Sequence, residues 1–477
     1  MEREILSPNR KALKINLNPS IYGCFAEIGG GQEVARHFFQ AGGASGTVAR
    51  TISAYDKAFS DSLYQSNESG RYVSENRLDE MLQAEYTELT GILGEKRGLN
   101  SQFFSFANTI ETLNYKKTNR GHGWIGVRFQ LKPETIPNQV VLHVNLMEND
   151  SLMQQTTLGV LGVNLIYACF FLYQYPSQFL RSLIDNLHTD RIEITMIRMD
   201  GPDLDYVDNR LLSLQLVKNG MAKAIMFDRQ GNVKQPSDML YKKNVLAFRG
   251  SFRPVTYVMI DMLRTSYRIF KRDEDYDKKN TVSLCEMTLS NLLQEGEVDE
   301  QDFLDRVGIL NGMGQNVMVS NFKEYYTLVQ YFSQFKIIKL RIIIGVPTLI
   351  NFFEKKYYTS LRGGMLEAMG KFFIDNMKLY VYPTLSSVTI DDPTKGEVLI
   401  TSKNLMLADD IKDLYGYLKK NRMIIDISDA RKEWLWINSQ VIITMIRDKV
   451  PGWEQMVPKY IEKEIKKKKL FGYKEKE

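Results

Sequence analysis

Residues 22–61, YGCFAEIGGGQEVARHFFQAGGASGTVARTISAYDKAFSD, hold the residue types and spacing best suited to cradle an oxyanion. Two glycine clusters, Gly29-Gly30-Gly31 and Gly42-Gly43-Ala44-Ser45-Gly46, flank one short helical pattern. A residue without Cβ lets backbone N–H groups close on a ligand oxygen. Gly30 and Gly31 follow an apolar run, 20–28, that reads as a buried strand. A dinucleotide fingerprint asks for a further glycine where Val34 stands. Glu33, in the first helical turn, would itself fill the positive helix end and repel phosphate. The second cluster is chemically better. Gly43, Ser45, Gly46 and Thr47 offer amides and hydroxyls at an expected helix start that runs on toward Tyr64. No acid follows until Asp56, and Arg50 lies one turn in. That arrangement favours phosphate. It lacks the Gly-Lys-Ser/Thr of a P-loop, which argues against an ATPase of that type.

A second basic cluster is 241–254, YKKNVLAFRGSFRP, where Lys242, Lys243, Arg249 and Arg253 surround an expected turn at Gly250-Ser251. Guanidinium forks match phosphate and carboxylate geometry. Glu27, Asp56, Asp61, Asp200, Asp205 and Asp208 are carboxylates of the type that hold hard cations, but caps and surface pairs account for most such residues. No metal site is expected. His122, in Asn119-Arg120-Gly121-His122-Gly123-Trp124, could act as an acid or base; a structural loop histidine is the plainer reading.

The 477-residue chain has 44% hydrophobic and 25% charged residues, an ordinary globular balance, with room for two or three domains. Net charge is +5, and the tail 459–477 carries eight Lys against four Glu, so the rest is near neutral. A nucleic-acid partner is therefore not expected. Three scattered cysteines and four scattered histidines exclude a disulfide scaffold or a structural zinc site. The N-terminus has no apolar signal core, which reads as a cytoplasmic protein. Leu158–Tyr173 is strongly apolar but interrupted by Asn164 and shorter than the roughly 20 residues a bilayer needs. The expectation is a helix buried on all sides and no transmembrane span.

The pattern predicts an α/β protein of two domains. The first, 1–270, is mixed α/β, with strands near 20–28, 102–107, 123–131, 139–147, 191–199 and 222–227. The charged run 271–280 opens a linker and helical connector to 316, with 281–311 read as helix. The segment 317–458 is expected to be Rossmann-like with a mainly parallel sheet, because Ile/Val runs at 317–320, 338–346, 378–382, 397–401 and 423–427 alternate with helical patterns. A basic tail, 459–477, ends the chain. Ligands of open parallel sheets sit beyond strand carboxyl ends, which singles out Ser320, Asn321 and Gly345.

Several strings resemble one bacterial family of roughly this length: AEIGGGQEVARHFFQAGGASGTVARTISAYDKAFSD, LGVLGVNLIYACFF, VDNRLLSLQLV, LYKKNVLAFRGSFRPVT and GVPTLINFFEKKYYTSLRGGMLEAMGKFF. The family's members carry the labels nicotinamide or nicotinate mononucleotide adenylyltransferase, or TonB-dependent receptor. A receptor barrel needs a secretory signal and many alternating strands; this chain has long helical patterns instead. The adenylyltransferase resemblance implies His-x-Gly-His, which Gly121-His122-Gly123-Trp124 fails, and a late Ser-x-x-Arg, which Ser428-Asp429-Ala430-Arg431 fits.

The function expected is binding of a nucleotide or phosphorylated metabolite at Gly30, Gly31, Gly43, Ser45, Gly46, Thr47, Arg50, Lys242, Arg249 and Arg253. As an enzyme it would be a transferase acting on that phosphorylated substrate; no residue is assigned a catalytic role. No cofactor is fixed, and Mg²⁺ enters only as the companion of a nucleotide. The alternatives are a non-catalytic oligomeric scaffold, with a homo-oligomer as partner, and an activity like that of the adenylyltransferases.

Overall fold

Apolar runs with few interruptions become strands covered on both faces. The computed structural model describes residues 4–64, 71–274, 276–294, 297–374, 376–386 and 398–474. The chain divides into two compact units, Met1–Ile225 and Met226–Glu477. The division does not fall at the charged run 271–280, which is a loop inside the second unit.

In the first unit, β1 (Ile21–Gly29), β2 (Val48–Ile52), β3 (Gln102–Glu111), β4 (His122–Phe129), β5 (Asn138–Leu146) and β6 (Ile192–Asp200) form one sheet in the order β2-β1-β3-β4-β5-β6. β1 runs parallel to β2 and β3; the remaining neighbours are antiparallel. The helices are α1 (Pro8–Asn16), α2 (Val34–Ala41), α3 (Lys57–Leu63), α4 (Glu75–Arg97), α5 (Ser151–Phe171), α6 (Pro176–Leu183) and α7 (Asn209–Lys218). α4 is capped by Ser74, whose hydroxyl accepts from the Arg77 amide. The helix expected from Ser45 or Thr47 is absent. A 3-10 turn at Ala44–Gly46 leads into β2, whose β-branched Val48, Thr51 and Ile52 suit an edge strand; helix resumes at Lys57 behind an Asp56 cap.

α5 is buried continuously from Thr157 to Phe170. No helix among the described residues is long and apolar enough to cross a membrane. Asn164 interrupts the apolar run because it belongs to a polar knot. Its Oδ1 accepts from Lys11 Nζ at 2.7 Å, its amide donates to the Leu183 and Asp185 carbonyls, and Lys11 Nζ donates to Asp185 at 2.6 Å. The Lys11 side chain is fully buried, so α1, α5 and the end of α6 are locked by a charge pair that water cannot replace.

The second sheet contains β7 (Ala224–Phe227), β8 (Val233–Lys234), β9 (Asn244–Arg249) and β10 (Thr281–Thr288). The short pair β11 (Leu293–Gln294) and β12 (Glu297–Val298) stands apart. β13 (Asn316–Ser320), β14 (Lys339–Gly345) and β15 (Met377–Tyr382) return to the sheet; β16 (Thr384–Leu385) and β17 (Leu399–Ile400) form a second short pair, and β18 (Ile424–Asp426) is the far edge. The order is β18-β15-β14-β9-β10-β13-β7-β8. The pairings β9–β10, β10–β13, β9–β14, β14–β15 and β15–β18 are parallel, and β7–β8 is antiparallel, so the sheet is mixed. Residues 281–288, expected as helix, are strand: β10 lies between β9 and β13, and residues Leu284–Thr288 are buried. The apolar run near 397–401 contributes only β17, outside the large sheet. α8 (Pro236–Leu240) and α9 (Tyr257–Phe270) flank β9 in the chain.

Lys11→Ala removes the cation 2.6 Å from Asp185 and should lower the stability of the first unit by ~3–5 kcal/mol, while Lys11→Met combined with Asp185→Leu should recover most of that loss. Urea unfolding of the three proteins reads this; equal midpoints for Lys11→Ala and the parent would contradict it.

Candidate functional site

In the first unit several of the groups expected to bind an anion are already engaged within the protein. The Gly30 amide donates to the Ile110 carbonyl at 3.3 Å. A Cβ on Gly30 would stand 2.3 Å from Thr112, and one on Gly31 would stand 2.2 Å from the Asn108 side chain. These glycines let the β1–α2 loop press against β3. The next two amides, Val34 and Ala35, donate to the Glu27 carboxylate at 3.1 and 2.9 Å. Glu27 therefore fills the positive end of α2; Glu33, expected in that role, pairs with Arg36. Burial pushes the Glu27 carboxyl up to about 7, against the pull of those two amides.

The second loop is closed in the same way. The Gly46 amide donates to the Gly43 carbonyl and the Thr47 amide to the Ala44 carbonyl, both at 3.0 Å. Gly43 is there because its φ is +73°. Thr47 is buried, and Ser45 is exposed. Arg50 does not reach back to this loop. It donates to Glu85 at 2.5 Å and to both oxygens of Glu88 at 2.7 and 2.8 Å, pinning β2 to α4.

The basic cluster 241–254 does not stay together, and it lies in the other unit. Lys242 precedes β9 and Arg249 ends it, so six residues, about 20 Å of extended chain, separate them. What the structure does assemble is the carboxyl edge of the parallel strands. Arg249 Nε and Nη2 hold the Glu286 carboxylate side-on at 2.5 and 2.9 Å, Nη1 donates to the Lys323 carbonyl at 3.1 Å, and the guanidinium lies 4.5 Å from the Tyr325 ring centre. Ser320, the last residue of β13, donates to the same carboxylate at 2.5 Å. Glu286 is fully buried. Its charge raises the Arg249 pKa against the effect of burial, and burial pushes the Tyr325 phenol up to about 12. Asn321 is exposed in the loop after Ser320. Gly345 ends β14 and opens the helix Val346–Phe352. Arg253 donates to Asp302 at 3.1 Å, an acid shared with Arg306, and Arg306 donates to the Ser251 carbonyl at 3.2 Å.

Glu286, Tyr325 and Asp302 were missed in the sequence because nothing local marks them; Glu286 lies 37 residues from the arginine it holds. The position of an acid near the carboxyl end of the strand next to Ser320 becomes visible only once β10 is recognised as a strand. His122 is likewise not in a loop: it opens β4, one pairing from Glu111.

Strand order reverses between β9 and β14. The chain steps outward from β9 through β10 to β13, then returns to the other side of β9 at β14 and steps outward through β15 to β18. Arg249 and Gly345 end the two strands at that reversal.

No family model matches the chain, and no curated protein matches it. Among solved structures, a competence/damage inducible protein (CihA) from Agrobacterium tumefaciens is 16% identical with a TM-score of 0.23, covering 34% of this chain and 93% of that one. CinA superfamily proteins from Klebsiella pneumoniae (8% identical, TM-score 0.25, 34% of this chain and 93% of that one) and Escherichia coli (12%, 0.22, 38% and 95%) are similarly distant. At these scores the likenesses carry no statement about function.

A folded-state pKa raised to about 7 for Glu27, against an ordinary 4.5, means that its contribution to stability is fully present below pH 4.5 and is lost as pH rises through 7. The stability difference between the parent and Glu27→Gln should therefore be largest near pH 4.5 and shrink by up to ~3 kcal/mol above pH 7. Unfolding at a series of pH values measures it; a difference that grows with pH would show that the α2 amides hold the carboxylate ionised.

Proposed function

We propose that the chain binds a nucleotide or another phosphorylated metabolite at the carboxyl edge of the second sheet, and that the second unit uses its parallel strands as a Rossmann-like platform. The observation that carries this reading is the reversal of strand order between β9 and β14, flanked by Arg249 and Gly345 with Ser320 two strands away. Ligands of open α/β sheets bind in the crevice outside the carboxyl ends of the strands at such a reversal. Three of the five N–H groups of Arg249 are taken by Glu286 and Lys323, which leaves two for an oxyanion. Stacking on Tyr325 and the side-on carboxylate hold that guanidinium in one orientation, so little entropy is lost when a phosphate arrives. Glu286, fully buried with both oxygens engaged, holds the arginine and does not itself reach the ligand. Mg²⁺ would accompany a nucleoside polyphosphate, held mainly by the phosphates themselves. As an enzyme the chain would be a transferase working by positioning and charge stabilisation.

Thermal unfolding in AMP, ADP, ATP, NAD⁺ and nicotinamide mononucleotide, with and without Mg²⁺, tests the reading. A ligand present at 100 times its Kd adds about 2.7 kcal/mol, an expected rise of about 5–10 °C in the transition of the second unit. Arg249→Gln combined with Glu286→Gln, which removes both buried charges together, should abolish the rise. No shift with any of these at millimolar concentration, or a full shift in the double variant, would overturn the proposal.

A further inference from the structure

A second polar cluster lies in the first unit and plays no part in the reading above. It crosses four adjacent strands on the sheet face that carries α4. Glu111 ends β3; its register partner His122 opens β4; His143 lies diagonally on β5; Thr195 sits on β6 where the β5–β6 register shifts. His122 Nδ1 stands 3.3 Å from His143 Nε2, and His143 Nδ1 stands 2.6 Å from Thr195 Oγ1. Thr195 Oγ1 also donates to the His143 carbonyl at 3.4 Å. At the outer end His122 Nε2 is 3.7 Å from Glu111 Oε2, and Glu111 is held from its other oxygen by the Asn119 amide at 2.7 Å. Exposure falls inward along the chain: the Glu111 side chain is 50% exposed, that of His122 33%, and His143 and Thr195 are both 2%.

The relay has a sense that exposes a base: with the single proton of the Thr195 hydroxyl on the His143 carbonyl, His143 Nδ1–H is the donor to Thr195. That leaves His143 Nε2 as an acceptor, and His122 Nδ1–H fills it. His122 Nε2 is consequently a bare lone pair at the exposed end. Its 3.7 Å separation from the carboxylate fits this assignment, because an Nε2–H there would draw Glu111 into hydrogen-bond range. Trp124 packs its edge on His143 at 4.9 Å and keeps the inner ring from turning.

We propose that His122 is a general base, tautomer-locked by the positioning residues His143 and Thr195, that accepts a proton at Nε2 from water or a small alcohol bound at the end of β3, with Glu111 stabilising the imidazolium that forms. The arrangement repeats the logic of a base oriented by a buried partner. When the base acts on water attacking an acyl ester, the water oxygen bonds to the acyl carbon and its proton passes to Nε2. The C–O bond to the alcohol then breaks, and the imidazolium gives that proton to the departing oxygen, which restores the free base. The products are one acid and one alcohol, with no other reactant. Burial lowers the pKa of both rings, most strongly at His143; Glu111 is the charge that raises that of His122, and His122 is the charge that lowers that of His143. The free base is therefore available near neutral pH.

Two measurements on the full chain test this. Long-range ¹H–¹⁵N NMR of the parent protein at pH 7.5 should show His122 and His143 both protonated at Nδ1; protonation of His122 at Nε2 would overturn the proposal without any substitution. Hydrolysis of p-nitrophenyl acetate, used as a probe of base strength, should be at least tenfold faster in the parent than in His122→Gln. Its rate should fall on acidification through one ionisation below pH 6.5. Glu111→Gln should move that ionisation to lower pH, and Thr195→Val should change the His122 tautomer signal as well as the rate. Equal rates in the parent and a folded His122→Gln would refute the assignment.

Discussion

The side-on pair between Arg249 and Glu286 is the interaction on which the second unit's architecture turns. β9 is the strand from which the sheet grows in both directions, and its last residue is held by the acid of β10, which in turn receives the hydroxyl that ends β13. Three strand ends are thereby fixed relative to one another by charge-assisted bonds. A buried pair of this kind adds little net stability over an apolar replacement, but loss of one partner leaves an uncompensated charge. Its value is geometric. It sets the height at which the loops after β9, β10 and β13 leave the sheet, and those loops are the walls of any crevice at the strand-order reversal. The Tyr325 ring under the guanidinium completes a frame in which the only slack is at the unpaired N–H groups.

The first unit illustrates the opposite outcome for similar ingredients. Glycine-rich turns and a nearby arginine are the chemistry of an anion site, yet here the amides of Gly30, Val34, Ala35, Gly46 and Thr47, and the Arg50 guanidinium, have acceptors within the protein. Glu27 answers the α2 terminus, the carbonyls of Gly43 and Ala44 answer the amides of Gly46 and Thr47, and Glu85 and Glu88 answer Arg50. The glycines serve close packing of the β1–α2 loop against β3.

Most strands were legible because their residues are buried on both faces and the apolar run is unbroken: β1, β5, β6, β14 and β15 fall within a residue or two of the runs that announced them, and β3 starts with its run but continues to Glu111. The buried character of α5 was legible for the same local reason. Errors came where local pattern and tertiary context disagree. VARTI is a poor helix that the glycine turn made look like a helix start, and TVSLCEMT carries Glu286 in a run whose strand state depends on lying between β9 and β13. The charged run 271–280 suggested a boundary, but a loop between α9 and β10 has the same composition. The polar clusters were the least legible part. Lys11, Asn164 and Asp185, or Glu111, His122, His143 and Thr195, come from distant positions and are joined only by register and helix packing.

A phosphorylated ligand seated at the carboxyl edge around Arg249 must leave a local footprint in the backbone there. Amide hydrogen exchange read by mass spectrometry, with and without saturating ATP and Mg²⁺, addresses it directly. Slowed exchange confined to the loops at 249–256, 320–324 and 345–349 is the predicted result. Protection that instead falls at 29–34 or 43–50, or none anywhere, would contradict the claim.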